Sequence, residues 1–139
     1  MPDTFQLEVA TPERLFVDEQ VSQAELPGQE GYMGILPGHA PLLSALGAGV
    51  LTYTSGGAQH VLAIEGGFVE VFENHVRVLA DHAELARDIQ LDRAKQDLER
   101  AMEAVRHAQE GPASEAALNA MKKAQARIDA AEKGSGAAH

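Results

Sequence analysis

The sequence predicts an α+β chain, an N-terminal β-sandwich followed by a C-terminal antiparallel two-helix hairpin. Three observations carry this reading. Up to about Leu79, apolar residues alternate with polar ones in short runs punctuated by Gly and Pro, the pattern of half-buried strands. From Asp88 the spacing lengthens to three and four residues, the period of one helix face. Glu110-Gly111-Pro112 then interrupts the helical pattern once and divides it in two. The division assigns residues 1–87 to the sandwich and 88–139 to the hairpin.

In chain order, Phe5, Leu7 and Val9 alternate with Gln6, Glu8 and Ala10 as a first strand. Leu26-Pro27-Gly28-Gln29 and Leu36-Pro37-Gly38-His39 both read as tight turns. Pro presets φ at the second turn position, and Gly supplies a positive φ at the third. The two turns bracket a short apolar run with an exposed loop. Gly49–Thr54 and Gln59–Glu65 flank the turn Ser55-Gly56-Gly57. Gly66-Gly67 reads as another turn, leading to Phe68–Phe72, and Glu73-Asn74-His75 separates that run from Val76–Leu79.

The first helix spans Leu91–Gln109, with Leu91, Ala94, Leu98, Ala101/Met102, Val105 and Ala108 as its stripe. Ser114 is the candidate N-cap of the second. Its stripe is Ala117, Met121, Ala124, Ile128 and Ala131, the helix spans Ser114–Lys133, and Gly134-Ser135-Gly136 after it suggests a frayed end. An Ala contributes about 1 kcal/mol or less on burial against about 2 for a Leu. A hairpin sealed by such stripes is expected to dock weakly, with Gly111-Pro112 as its hinge.

Composition narrows the function classes. The 139 residues are 45% hydrophobic but only 4% aromatic, so the core is built of small aliphatics. With no Cys there is no disulfide, thiolate nucleophile or Cys-ligated zinc. The net charge of −10 is uneven: twelve acids face three bases in residues 1–87, and nine face eight in 88–139. An acidic body repels phosphate backbones, so nucleic acid is not an expected partner. The excess reads as a solvated acidic surface or as a match for a basic partner. Met1-Pro2-Asp3-Thr4-Phe5 has no leader pattern, and no apolar run approaches the roughly 18–20 residues that span a bilayer. Membrane association is therefore expected only through partners.

No catalytic or metal constellation emerges. His39, His60, His75, His82, His107 and His139 show no metal-ligand spacing. Ser55 lacks a nucleophile elbow, a phosphate-binding loop is missing, and Glu70 and Glu73 read as solvated carboxylates at a strand end.

The run Gly31-Tyr32-Met33-Gly34-Ile35-Leu36-Pro37-Gly38-His39-Ala40-Pro41-Leu42, with Glu65-Gly66-Gly67-Phe68-Val69-Glu70-Val71 and Val76-Arg77-Val78-Leu79-Ala80-Asp81 after it, resembles the epsilon subunits of bacterial-type F-type ATP synthases. The likeness extends from Phe5 to about Lys133. It implies a ten-stranded sandwich in a non-catalytic rotor subunit of the central stalk. The implied partners are the gamma subunit and the c-subunit ring, with proton or sodium flow coupled to ATP synthesis. The implied location is peripheral, on the cytoplasmic side of the cell (inner) membrane. Glu30, Gly31, Tyr32, Gly34, Pro37, Gly38 and His39 are then the ring-contact loop. Tyr32 stands where many relatives carry an acid, which replaces an ion pair with packing or hydrogen bonding.

The same resemblance implies that the hairpin can open toward the alpha/beta catalytic head and impede ATP hydrolysis. Lys122, Lys123, Arg127 and Lys133 are the candidate contacts, and they read equally as ordinary i to i+4 surface charges. In some relatives an I/L-D-x-x-R-A run binds regulatory ATP. Here Ile89, Arg93 and Ala94 fit that run while Gln90 replaces the acid, and no other cofactor is implied. The alternative is a free-standing β-sandwich binding module with a helical dimerisation arm, which would self-associate through the Ala/Leu stripes.

Overall fold

Residues 3–108 and 110–137 are described by the computed structural model. Its strands are β1 (Phe5–Ala10), β2 (Leu15–Val21), β3 (Gln23–Gly28), β4 (Gly31–Ile35), β5 (Leu42–Ala45), β6 (Ala48–Ser55), β7 (Ala58–Phe72) and β8 (His75–Leu85). A 3-10 turn at Ala86–Asp88 leads to helices α1 (Leu91–His107) and α2 (Pro112–Ala137). Alternation dictates the strands as read: Phe5, Leu7 and Val9 are buried, and the residues between them are half-exposed.

Strand order is β2-β1-β8-β7-β6-β3-β4, with β5 also on β7. All pairs are antiparallel except β1 with β8. The first half of β7 pairs with β6 and the second half with β5, so β7 belongs to both layers, and β8 pairs with it from Leu62 to Phe72, on both sides of Gly66-Gly67. This is why eight strands are found where ten were expected: the two longest run unbroken through the corner of the sandwich.

Gly66-Gly67 makes that corner and is not a hairpin turn. Both glycines have positive φ, 68° and 101°. Inward residues of β7 are even-numbered before them (Leu62, Ile64) and odd-numbered after (Val69, Val71), as at a bulge. The link between β5 and β6 anchors the corner: the Leu46 N–H donates to the Gly67 carbonyl and the Gly66 N–H to the Gly47 carbonyl. A Cβ on Gly67 would lie 2.0 Å from the Leu79 carbonyl oxygen, which no side chain can do.

The two Pro-Gly dipeptides part company. Leu36–His39 is the expected type II turn, with Gly38 at φ 81° and the His39 N–H donating to the Leu36 carbonyl. Pro27-Gly28 is instead the end of β3, and the hairpin turns at Gln29-Glu30. Burial of Pro27 between neighbouring strands overrides its turn propensity. Likewise the first five residues of the expected loop, Gly31–Ile35, form an edge strand.

The core holds Phe5, Leu7, Val9, Leu26, Ile35, Leu51, Leu62, Ile64, Val69 and Val78, and every member of this cluster lies in the strand segment. Tyr53 shares the core and stacks on His60 at 4.8 Å. Burial, then the charge of Glu19, pushes its hydroxyl up to about 12.

The helical boundaries also shift. Pro112 begins α2, where its missing N–H has no partner to lose, and the Gly111 carbonyl accepts the N–H groups of Ser114 and Glu115. Ser114 is therefore inside the first turn rather than capping it. The first helix ends at His107, and its expected last residue, Gln109, lies outside the described residues. Gly134-Ser135-Gly136 does not terminate α2, which continues to Ala137. A Cβ at Gly134 would meet the Ala86 Cβ at 2.7 Å, so this glycine lets the helix close onto the sandwich. Met102 is 40% exposed, leaving Ala101 as the seam residue.

Gly67→Ala and Gly57→Ala separate the corner contact from backbone strain, because Gly57 has φ 82° with open space around it. In urea melts Gly57→Ala is expected to cost about 1 kcal/mol and Gly67→Ala about 3 kcal/mol or more. Equal losses would remove the corner from this account.

Candidate functional site

The surface from Glu30 to His39 comprises a two-residue turn, the edge strand β4 and the Pro37-Gly38 turn. Pairing of β3 with β6 ends at Glu25 and Thr52, two steps before Pro27 would face Val50. Pro27 has no N–H to offer there. The Val50 N–H donates instead to the Tyr32 hydroxyl at 2.8 Å. The Tyr32 ring crosses Gly49, where a Cβ would sit 2.5 Å from its oxygen. Tyr32 thus closes a gap in the sheet while remaining 56% exposed. Gly31, Gly34 and Gly38 have nothing within 4 Å of a would-be Cβ, which leaves bare backbone along this edge. Glu30 is exposed at the turn, and the half-buried His39 places Nδ1 2.7 Å from the Ala40 carbonyl. Glu30, Gly31, Tyr32 and Gly34 therefore lie along one edge, whereas Pro37, Gly38 and His39 follow it in a turn whose Gly38 N–H donates to Asn74, between β7 and β8.

A second surface escaped the sequence reading. Leu43, Phe68, Phe72 and Leu79 project from β5, β7 and β8, exposed by 72, 58, 56 and 55%. Phe68 pairs with both Ala45 and Leu79, and Glu70 opposite Arg77 supplies charge between the aromatics. A cavity of about 410 Å³ opens beside it against Pro41, Leu43, Glu70 and Phe72. The signal was present in Phe68-Val69-Glu70-Val71-Phe72, apolar in both phases of the alternation, as in strands covered on both faces. Exposed apolar residues grouped in this way mark an interaction face.

The helices cover the other layer. Val50, Val61 and Ala63 of β6 and β7 form a small cluster with Ala130 of α2, and Ile89 packs on it. Ala126, Ala130 and Gly134 repeat at four residues, a second stripe beyond the Ala117, Ala124 and Ile128 read from sequence. The first helix lies on α2 and leaves a groove lined by Ala101, Ala104, Ala120 and Ala124.

Ion pairs supplement these thin contacts. Arg127 of α2 forks onto Glu84 of β8, Nε to Oε1 at 2.8 Å and Nη2 to Oε2 at 3.3 Å, while Nη1 reaches Asp97 of α1 at 3.3 Å. One guanidinium thus ties both helices to the sandwich. Its hydrogen bond to Glu84 holds Arg127 above its ordinary pKa. Lys123 lies 3.7 Å from Glu65 Oε2, a buried oxygen with no hydrogen-bond partner among the described residues. Lys122 and Lys133 are exposed. At the outer end of α1, hydrogen bonding from His107 and the charge of Arg106 hold the Glu103 carboxyl below its usual range.

The nucleotide trio does not assemble into a pocket. Ile89 packs on the small cluster, Ala94 is fully buried, and only Arg93 presents its charge to solvent. Gln90 provides the extended cap of α1 without a side-chain hydrogen bond. Among the described residues no group of three or more His, Asp or Glu could hold a metal, and no helix is long and apolar enough to cross a membrane.

The family model described as "ATP synthase, Delta/Epsilon chain, beta-sandwich domain" matches residues 4–86. The chain is 51% identical to the ATP synthase epsilon chain of Solibacter usitatus (strain Ellin6076), covering 96% of this chain and 99% of that one. It is 45% identical to that of Syntrophomonas wolfei subsp. wolfei, covering 94% and 96%. Two cryo-EM structures share the fold. One, of Euglena gracilis mitochondrial ATP synthase (OSCP/F1/c-ring), matches with a TM-score of 0.83 at 23% identity over 95% of this chain and 83% of that one. The other, of the Tetrahymena thermophila mitochondrial ATP synthase central stalk and c-ring, gives 0.65 at 14% identity over 91% and 95%.

Arg127→Ala strands two part-buried carboxylates, a loss on the order of 1–3 kcal/mol for the docked hairpin. In hydrogen exchange, α2 amides are expected to exchange roughly tenfold faster or more while β1 and β7 hold their protection. Uniform protection across the variant would mean that the apolar contacts alone hold the helices.

Proposed function

The chain belongs to the ATP synthase delta/epsilon family, on the epsilon-chain side, and from that premise we propose how its surfaces divide the work of a central-stalk subunit. Its part in the complex is mechanical and regulatory; catalysis of ATP synthesis belongs to other subunits. The observation that carries the division is the apolar face of Leu43, Phe68, Phe72 and Leu79, left open by the same sheet whose other layer carries the helices.

That face docks the gamma subunit. The edge from Glu30 through Gly31, Tyr32, Gly34, Pro37 and Gly38 to His39 meets the polar loops of the c ring. Bare glycine backbone and the Tyr32 ring suit close approach and hydrogen bonding to such loops. Bridged in this way, gamma and the ring turn together, and proton flow through the membrane is transmitted to the catalytic head. The subunit is held peripherally on the cytoplasmic side of the cell membrane through these partners. The sandwich, 1–87, serves coupling, and the hairpin, 88–139, serves regulation.

Opened at Gly111-Pro112, helices of about 25 and 39 Å at 1.5 Å per residue reach toward the alpha/beta head. Lys122, Lys123, Arg127 and Lys133 then meet acidic surfaces there and impede hydrolysis. Arg127 and Lys123 are paired within the closed chain, so they become available only on opening. The dimerisation-arm alternative needs free apolar stripes, whereas Ala94, Ala101, Ala117, Ala124 and Ile128 are buried within the chain.

The test is ATP hydrolysis by an epsilon-depleted catalytic head, titrated with the full chain and with a chain ending at Arg87. The full chain is expected to lower the rate several-fold, and the truncated chain to bind without inhibiting. Inhibition by the truncated chain would assign the brake to the sandwich, and binding by neither would overturn the family-based reading of the surfaces.

A further inference from the structure

We propose that Asn74 is a positioning residue that locks the Pro37-Gly38 turn to the end of the β7–β8 hairpin, and so fixes the ring-facing edge relative to the apolar face. The inference rests on the reading of Glu30–His39 as the ring contact, and it adds a residue that no sequence motif marks.

Asn74 is the second residue of a two-residue turn in which Glu73 and Asn74 have φ of 50° and 62°. Positive φ at both positions is the type I′ geometry that matches strand twist, and Asn tolerates it well. Backbone preference alone would therefore explain an Asn, or a Gly, at this position.

The side chain does more than the turn requires. Its Oδ1 accepts the Gly38 N–H at 2.9 Å, and its Nδ2 donates to the Thr4 carbonyl at 2.7 Å. Its own carbonyl accepts the Gln6 N–H at 3.2 Å. The amide is used at both ends, so its orientation is determined: the flipped form would set NH2 against N–H and oxygen against oxygen.

Three segments distant in sequence thus meet on one amide: the lead into β1, the Pro37-Gly38 turn and the tip of β7–β8. Among the described residues one backbone hydrogen bond closes the turn from within, the His39 N–H to the Leu36 carbonyl at 3.2 Å. Gly38 itself touches nothing with its Cα face and sits at φ 81°, a conformation that glycine leaves readily. A turn of this kind needs an external anchor to hold one orientation. Past the turn, Ala40-Pro41 leads directly to β5 and Leu43, and Phe72 immediately precedes the Asn74 turn. The anchor therefore sits where the two proposed contact surfaces meet.

Asn74→Gly in the full chain is the clean probe, because Gly keeps both positive φ and the backbone bond to Gln6. Asn74→Asp keeps an acceptor for Gly38 but sets a carboxylate oxygen against the Thr4 carbonyl, so it breaks the Thr4 end of the lock. Three quantities are measured: exchange of the Gly38 amide by NMR, affinity for gamma alone, and the additional affinity when gamma carries a detergent-solubilised c ring. In Asn74→Gly the Gly38 amide is expected to exchange about tenfold faster or more. The ring's added affinity is expected to fall several-fold, with affinity for gamma alone unchanged. Asn74→Asp, which retains the Gly38 acceptor while its Thr4 end is repelled, should speed Gly38 exchange by less than Asn74→Gly does.

Unchanged Gly38 exchange in Asn74→Gly would overturn the anchor. Faster exchange with the ring's contribution intact would overturn the positioning role. His39→Ala and Tyr32→Ala then tell the two failures apart. If they also leave the ring's contribution intact, the ring-contact reading is at fault; if they reduce it, Asn74 alone is.

Discussion

The close approach of the Gly67 backbone to the Leu79 carbonyl is the constraint on which the rest of the molecule depends. It lets two neighbouring strands bend together and serve both layers of the sandwich. Because the inward parity of β7 changes at the bend, Val61 and Ala63 face outward on one side of it and Phe68, Glu70 and Phe72 on the other. A single strand therefore offers two different exterior faces. Small aliphatics accept a helix, whereas large apolar groups remain open. The separation of a helix-covered face from an open apolar face follows from this local geometry.

The two faces differ in strength as well as in composition. The hairpin rests on alanines, on one glycine that permits close approach, and on a forked arginine that joins three elements. Alanine contacts are individually small, and the ion pairs are part-exposed and screened by salt. Such an attachment is suited to reversible opening, because little apolar area must be uncovered. The sandwich behaves differently, with its largest core side chains excluded from water and all contributed by residues before the helices. The opening proposed for the hairpin would thus leave the core of the sandwich and its open apolar face in place.

Legibility in the sequence follows the range of the forces involved. Alternation in β1, the helical period of α1 and α2 and the Leu36–His39 turn are local and legible in the sequence, whereas the exposure of Met102 and the burial of Ala126 and Ala130 are set by packing. The dipeptides Pro27-Gly28 and Pro37-Gly38 are chemically alike, yet burial against a partner strand put the first into β3. Gly66-Gly67 resembled a hairpin because positive φ serves turns and bulges equally. Gly134 and Gly136 signalled a helix end, but tertiary packing at Ala86 overrode propensity. Arg127 and Glu84 stand 43 residues apart, and Asn74 and Gly38 stand 36 apart, so neither contact leaves any local trace. Tyr32 departs from the family pattern in the sequence itself, and only the register of β3 on β6 shows what its hydroxyl does.

The central claim is that the open apolar face, independent of the hairpin, is the seat of gamma. Calorimetric titration of gamma with the full chain carrying Phe68→Asp and Leu79→Asp tests it most directly, with a thermal melt to establish that the sandwich persists. Both side chains are already more than half exposed, so the fold should tolerate the charges. Affinity should fall by about a hundredfold or more, the scale of losing central apolar anchors. Parent-like affinity in a folded double variant would contradict the account and move the gamma contact to another surface.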